Sequence, residues 1–213
     1  MAPLLRAEQL RFAWPGGAPL FNDTSLALGP GLTWLTSEDG SGKSTLLSLL
    51  AGAQAPQAGR LWANGHWLHE DPAAYRRQVF WIDPQTEAHD ALPAAGYLEG
   101  LAAHWPRLSE AALADLVDGF GLAEHLHKPL YMLSTGSRRK VWLTATLAAG
   151  APVTLIDQPF AALDAPSARF LAECLADVAD HPSRTWVAAD HEAPPATPRH
   201  RVWALAGRPG PGF

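Results

Sequence analysis

Cysteine is nearly absent from this chain. Cys174 is the only one among 213 residues, which excludes an internal disulfide framework and a cysteine metal cluster. Such sparing use suits a reducing compartment, and a cytoplasmic protein is expected. Basic charge is scarce as well: 16 Lys and Arg stand against 21 Asp and Glu, a formal net charge of −5. That balance argues against general nucleic-acid binding. Long apolar runs are missing too. No stretch is long enough to cross a bilayer, and Met1-Ala-Pro-Leu-Leu-Arg6 lacks the apolar core of a signal peptide. Any membrane role is therefore expected to come through a partner. Repeats and low-complexity tracts are absent. Apolar residues are not: they make up 47% of the chain, enough for a substantial core in one large domain or one domain with a small insert. Arg208-Pro-Gly-Pro-Gly-Phe213 reads as a frayed tail.

The most informative stretch is Ser37-Glu38-Asp39-Gly40-Ser41-Gly42-Lys43-Ser44-Thr45. An apolar strand, Leu32 to Thr36, runs into it, and an apolar helix, Thr45 to Leu50, leaves it. A phosphate loop requires this strand–loop–helix setting. Small residues let successive backbone N–H groups face one concavity, and the helix N-terminus adds positive dipole. Lys43 would meet the β- and γ-phosphates, Ser44 would ligate Mg²⁺, and Thr45 would lie near the α-phosphate. Ser37 stands where the motif has its first glycine, so its φ must stay negative.

Leu4 to Trp14 and Leu20 to Leu28 read as strands, with a turn at Asn22-Asp23. Trp14, one hairpin before the loop, is either a face for an adenine ring or a core tryptophan. Arg60 to Leu68 alternates around Asn64-Gly65 and reads as a hairpin, with His66, His69 and Glu70 as solvated side chains. Gln78 to Ile82 reads as a buried strand that stops before Asp83-Pro84-Gln85. Ala94 to His104 and Ser109 to Phe120 have helical spacing, with Ser109 as N-cap; His125 and His127 read as surface. Ser134-Thr135-Gly136-Ser137 opens a helix from Arg138 to Ala149, a second N-terminus able to face an anion. Val153 to Ile156 delivers Asp157 to the end of a buried strand, where ligands of open α/β sheets bind. A helix follows Asp164, with Phe170, Leu171, Cys174, Leu175 and Val178 on one face, which makes Cys174 a core thiol. Trp186 to Ala189 is a further buried strand ending at Asp190-His191, and Arg201 to Leu205 reads as the last.

In this order the motifs resemble those of the nucleotide-binding subunit of ATP-binding cassette (ABC) transporters, over roughly Leu4 to Gly207. Trp14 resembles the adenine-stacking aromatic, Ser37 to Thr45 the Walker A loop and Gln85 the Q-loop. Leu133-Ser-Thr-Gly-Ser137 is similar to the signature sequence, Val153 to Asp157 to Walker B, Ala162-Leu163-Asp164 to the D-loop, and His191 to the switch histidine. The resemblance implies an α/β P-loop NTPase core with a mainly parallel sheet, an N-terminal antiparallel sheet and a helical insert over about 86–133. It implies that two such domains sandwich two ATP molecules head to tail, as homodimer or heterodimer. Walker A of one would face Ser134 and Gly136 of the other, and Ser44, Gln85 and Asp157 would surround Mg²⁺. It further implies a separate integral membrane subunit, docked at the Q-loop and the helices after it on the inner face of the membrane.

Two departures bear on chemistry. Thr135 and Ser137 replace a glycine and a glutamine of the signature, while Ser134 and Gly136 remain. Gln158 stands where the family usually places the glutamate that activates water. Glutamine can orient a water but cannot take its proton. The expectation is an ATP hydrolase slowed at Gln158, with Lys43 and His191 as its other catalytic groups. An ATP-gated module whose output is closure, and a soluble ABC ATPase, are the alternatives; the acidic balance and the lack of a coiled-coil insert count against the second.

Overall fold

In the computed structural model, residues 2–193 and 201–205 are described; the expected tail from Arg208 to Phe213 lies outside them. Strands β1 (Leu5–Ala13), β2 (Pro19–Leu28), β4 (Ala58–Ala63) and β5 (His66–Trp67) form an antiparallel sheet in the order β2-β1-β4-β5. Strands β3 (Gly31–Thr36), β6 (Val79–Phe80), β7 (Val153–Asp157), β8 (Thr185–Asp190) and β9 (Arg201–Ala204) form a parallel sheet in the order β6-β7-β8-β3-β9. The expected combination of a parallel core sheet and an N-terminal antiparallel sheet is therefore present.

The inner parallel strands β3, β7 and β8 are buried along nearly their whole length, because apolar layers cover both faces; the edge strand β9 is mostly exposed. Side chains alternate with period two. Leu35, Val153, Leu155, Val187 and Ala189 join one core with β1, β2 and α1 (Lys43–Leu50). Leu32, Trp34, Ile156, Trp186 and Ala188 join another with α3 (Ala94–Gly100), α5 (Thr135–Ala148) and α6 (Ala165–Asp177). Phe120 and Leu116, at the end of α4 (Glu110–Gly119), extend that second core. The helices expected between 86 and 133 are thus α3, a 3-10 turn at Leu101–Ala103, α4 and two further 3-10 turns.

Three local expectations need correction. Asn22-Asp23 is no turn: β2 runs through it, and Asp23 takes a φ of 63° where the β1–β2 register shifts. Such a bulge absorbs one residue without ending the strand. The strand expected over Gln78 to Ile82 is only Val79–Phe80, because the chain leaves the sheet edge there. The helix expected to His104 tightens into the 3-10 turn after Gly100. A short helix, α2 (Pro72–Arg76), was not legible; Asp71 caps it by accepting from the Ala74 N–H. The Asn64-Gly65 turn is as expected, both residues at positive φ.

Candidate functional site

The parallel register fixes which residues share the carboxyl end of the sheet. Thr36 pairs with Asp190, and Asp157 pairs with Ala189. The loop from Ser37, the turn after Asp157 and His191 therefore leave the sheet at one edge.

The loop itself is shaped by its glycines. Gly40 and Gly42 have φ of 72° and 101°, while Ser37 stays out of the positive-φ region, as its side chain requires. A Cβ on Gly42 would also meet the Leu20 side chain at 2.8 Å. The Ser37 and Ser41 hydroxyls hydrogen-bond across the loop. Lys43 is only 6% exposed, and its Nζ donates to the carbonyls of Ser37 (2.7 Å) and Glu38 (3.0 Å) and lies 3.8 Å from Asp39 Oδ1. Gly42 provides no side-chain cap, and no acidic residue sits in the first turn of α1. The first N–H groups of that helix are thus left for an external acceptor.

A cleft of about 420 Å³ opens beside this loop. Trp14, Ser44, Thr45, Gln85 and Asp157 line it together, joined by Gln54, Trp81 and Asp83. Trp14 is 48% exposed and meets Phe12 edge-on, ring centres 5.1 Å apart. That exposure leaves part of the ring open to a planar base. The core-tryptophan alternative for Trp14 does not fit that exposure.

Asp157 is buried, and its Oδ1 has no hydrogen-bond partner. Burial pushes its carboxyl above the usual range; a hydrogen bond from Ser44, then the Arg139 and Lys43 charges, oppose that, and Asp190 adds to it. An unpartnered carboxylate oxygen beside a serine hydroxyl is a hard-oxygen donor set suited to Mg²⁺. The Ser44 and Asp157 oxygens thus fit the metal, and Gln85 borders the same cleft.

Other expected residues lie elsewhere. Gln158 lines a second cleft, of about 250 Å³, with Pro84, Thr135, Arg138, Arg139 and Ala162. Its φ is 44°, in the left-handed region, a strain of order 1–3 kcal/mol for a side chain other than glycine. Ser134 caps α5, accepting from the Ser137 N–H at 3.1 Å, and neither it nor Gly136 borders the phosphate-loop cleft. Gly136 is tightly placed: a Cβ there would lie 2.7 Å from the Ala162 carbonyl. His191 is exposed, its N–H bonded to Asp190 Oδ1. Glu38 and Asp39 are exposed at the loop rim.

Sequence reasoning missed Arg139. Its guanidinium donates to the carbonyls of Asp157 and Gln158. Burial holds it below the ordinary arginine range, offset in part by the Asp157 and Asp190 carboxylates. Only its charge marked it in the sequence. Gln54 and Trp81, which border the cleft, carried no signal of their own.

Comparison with known proteins follows the same lines. The ABC transporter family profile matches residues 21–161. The nickel import ATP-binding protein NikO of Rhodobacter capsulatus is 34% identical over 206 residues, 90% of this chain and 81% of that protein. The cytochrome c biogenesis ATP-binding export protein CcmA of Cupriavidus necator is 37% identical over 179 residues, 80% of this chain and 76% of its own. The taurine import ATP-binding protein TauB of Pseudomonas entomophila is 34% identical over 177 residues, covering 82% and 68%. Among solved structures, a dimeric ATP-binding cassette in a post-hydrolysis state, bound to ADP and Pi, superposes with a TM-score of 0.78 at 18% identity, over 94% of both chains. An ATP-binding subunit of an ABC transporter gives 0.77 at 24% identity, over 88% and 79%. At these identities the superpositions speak for the fold.

Proposed function

The chain belongs to the ABC transporter family as one of its ATP-binding subunits, and from that premise we propose that it binds Mg-ATP between two head-to-tail copies and drives a separate membrane subunit. One observation carries the reading: Trp14, Ser44, Thr45, Gln85 and Asp157, drawn from four separate parts of the chain, line one cleft. Trp14 stacks on the base. Lys43, the loop N–H groups from Ser37 to Ser44 and the first turn of α1 hold the phosphates. Ser44, Asp157 and Gln85 would hold Mg²⁺, which would supply charge neutralisation for the transferring phosphoryl group. The second half of the site is Ser134 and Gly136 of the opposite copy, since neither borders the chain's own phosphate-loop cleft. His191 leaves the sheet beside the loop and orients water and the γ-phosphate.

Hydrolysis is slow in this reading. Gln158 has no carboxylate to accept a proton, so it orients the attacking water without deprotonating it. Closure by ATP then outlasts the binding event, and the same residue favours a second reading in which the closed pair is itself the output. No helix among the described residues is long and apolar enough to cross a membrane. In this reading the chain works from the inner membrane face, held by an integral membrane partner at the Q-loop and the helices between 86 and 133. The relatives' names span importers and exporters, so the cargo is not assigned.

Calorimetric titration and light scattering test the proposal together. Mg-ATP should bind and should convert monomer to dimer, and Lys43→Ala should abolish detectable binding. Unchanged affinity in Lys43→Ala would overturn the site. A monomer at saturating ATP would overturn self-pairing and point to a second, different ABC subunit.

A further inference from the structure

The turn after β7 is under strain and over-determined. Gln158 has a left-handed backbone, φ 44°, without being glycine. Three ties hold it. Its N–H donates to the Ala189 carbonyl at 2.7 Å, extending the β7–β8 ladder by one residue. Its carbonyl accepts from the Ala161 N–H at 3.0 Å. The third tie comes from a side chain: one guanidinium nitrogen of Arg139, on α5, donates to the carbonyls of both Asp157 and Gln158.

Arg139 is well placed to fix this turn. It lies near the start of α5, the helix that Ser134 caps. It borders the cleft that Gln158 lines, and also a small void between α5 and β7 that Asp157 borders with Trp142 and Leu155. Both Asp157 and Asp190 act on it electrostatically. Both bonds leave one nitrogen, whose two N–H directions are fixed in the guanidinium plane; a lysine ammonium carries enough donors but is shorter and rotates freely.

We propose that Arg139 is a positioning residue for phosphoryl transfer: its guanidinium clamps the Asp157–Gln158 turn and thereby aims both side chains, coupling the N-terminal end of α5 to the metal-side strand. The clamp acts through the backbone, so neither nucleotide nor water need touch it. This rests on the ATP-hydrolase reading for its consequence in turnover, but the clamp itself does not.

Two measurements on the full chain test it. The first is a double-mutant cycle in urea unfolding with Arg139→Lys and Gln158→Gly. Glycine accepts positive φ without strain. If Arg139 holds the strained turn, Arg139→Lys should lower the unfolding midpoint less in the Gln158→Gly background than in the natural chain. Equal losses in the two backgrounds would overturn the clamp. The second measurement uses the Gln158→Glu background, where turnover is easier to follow. Arg139→Lys should lower kcat by up to about a hundredfold, the cost of misplacing a reacting group by an ångström, while KM for ATP and the calorimetric affinity for ATP without metal hold. A lysine that fully restores kcat would show that charge alone suffices and would overturn the positioning role. A natural chain that binds no ATP would sink the transporter reading instead, and the unfolding cycle would still decide the clamp.

Discussion

Replacing Gln158 by glutamate should turn a slow ATPase into a faster one. The exchange is nearly isosteric, and the backbone at 158 is held by Ala189, Ala161 and Arg139 whichever side chain it carries. The added group is therefore the carboxylate alone. Positioned general bases contribute about 10²–10⁴ in rate, or roughly 2.7–5.4 kcal/mol of barrier at 1.36 kcal/mol per decade. Mg-ATP affinity should stay near its original value, because Ser44, Thr45 and Trp14 are untouched. Residue 158 lines the cleft under α5 rather than the cleft beside the phosphate loop, so the gain should belong to the paired form. Phosphate release per protomer, measured across protein concentrations with the dimer followed by light scattering, checks this. The gain should grow as the dimer forms, and the dimer's lifetime should shorten. Adding His191→Ala to Gln158→Glu should lower turnover again. If the natural chain already releases phosphate as fast as its Gln158→Glu counterpart, the missing base is not what limits it, and another group would have to take the proton.

Further expectations are simpler. Trp14→Ala should weaken ATP binding by about 1–3 kcal/mol in calorimetric titration, the scale of a lost aromatic–base stack, and Trp14→Phe should recover most of it. The Tyr75 hydroxyl donates to the Leu50 carbonyl at 2.6 Å in a fully buried setting; Tyr75→Phe should lower unfolding free energy by about 1–3 kcal/mol, the cost of a dry carbonyl at the end of α1, with ATP affinity unchanged. Burial, with a smaller push from Asp177, raises the Cys174 thiol to about 11. The folded chain thus favours the neutral thiol, and the thiolate is gained only as pH approaches that value. Labelling by a thiol reagent at pH 8 should run about two orders of magnitude slower in the native chain than in urea, and equal rates would refute the raised thiol of this half-buried cysteine.

Several features were legible in the sequence because their causes are local. The strand–loop–helix from Leu32 to Leu50 needs small residues at set positions, and Gly40 and Gly42 take the positive φ that their identity permits. Caps at Ser109, Ser134 and Asp164 work over three residues. The buried strands reveal themselves as apolar runs, since both faces of a parallel sheet are covered. What tertiary structure alone decided involves groups far apart in sequence. The bulge at Asp23 depends on the register that β1 imposes on β2. The edge position of β6 cut short a strand whose apolar run suggested more. Trp81 and Gln54 border the cleft beside the phosphate loop only because β6 ends beside α1. Arg139 reaches Asp157 and Gln158 across 18 and 19 residues because α5 packs against β7. Composition and spacing record which segments bury an apolar face; the direction in which a long side chain then points depends on the packing of its neighbours, which no local pattern encodes.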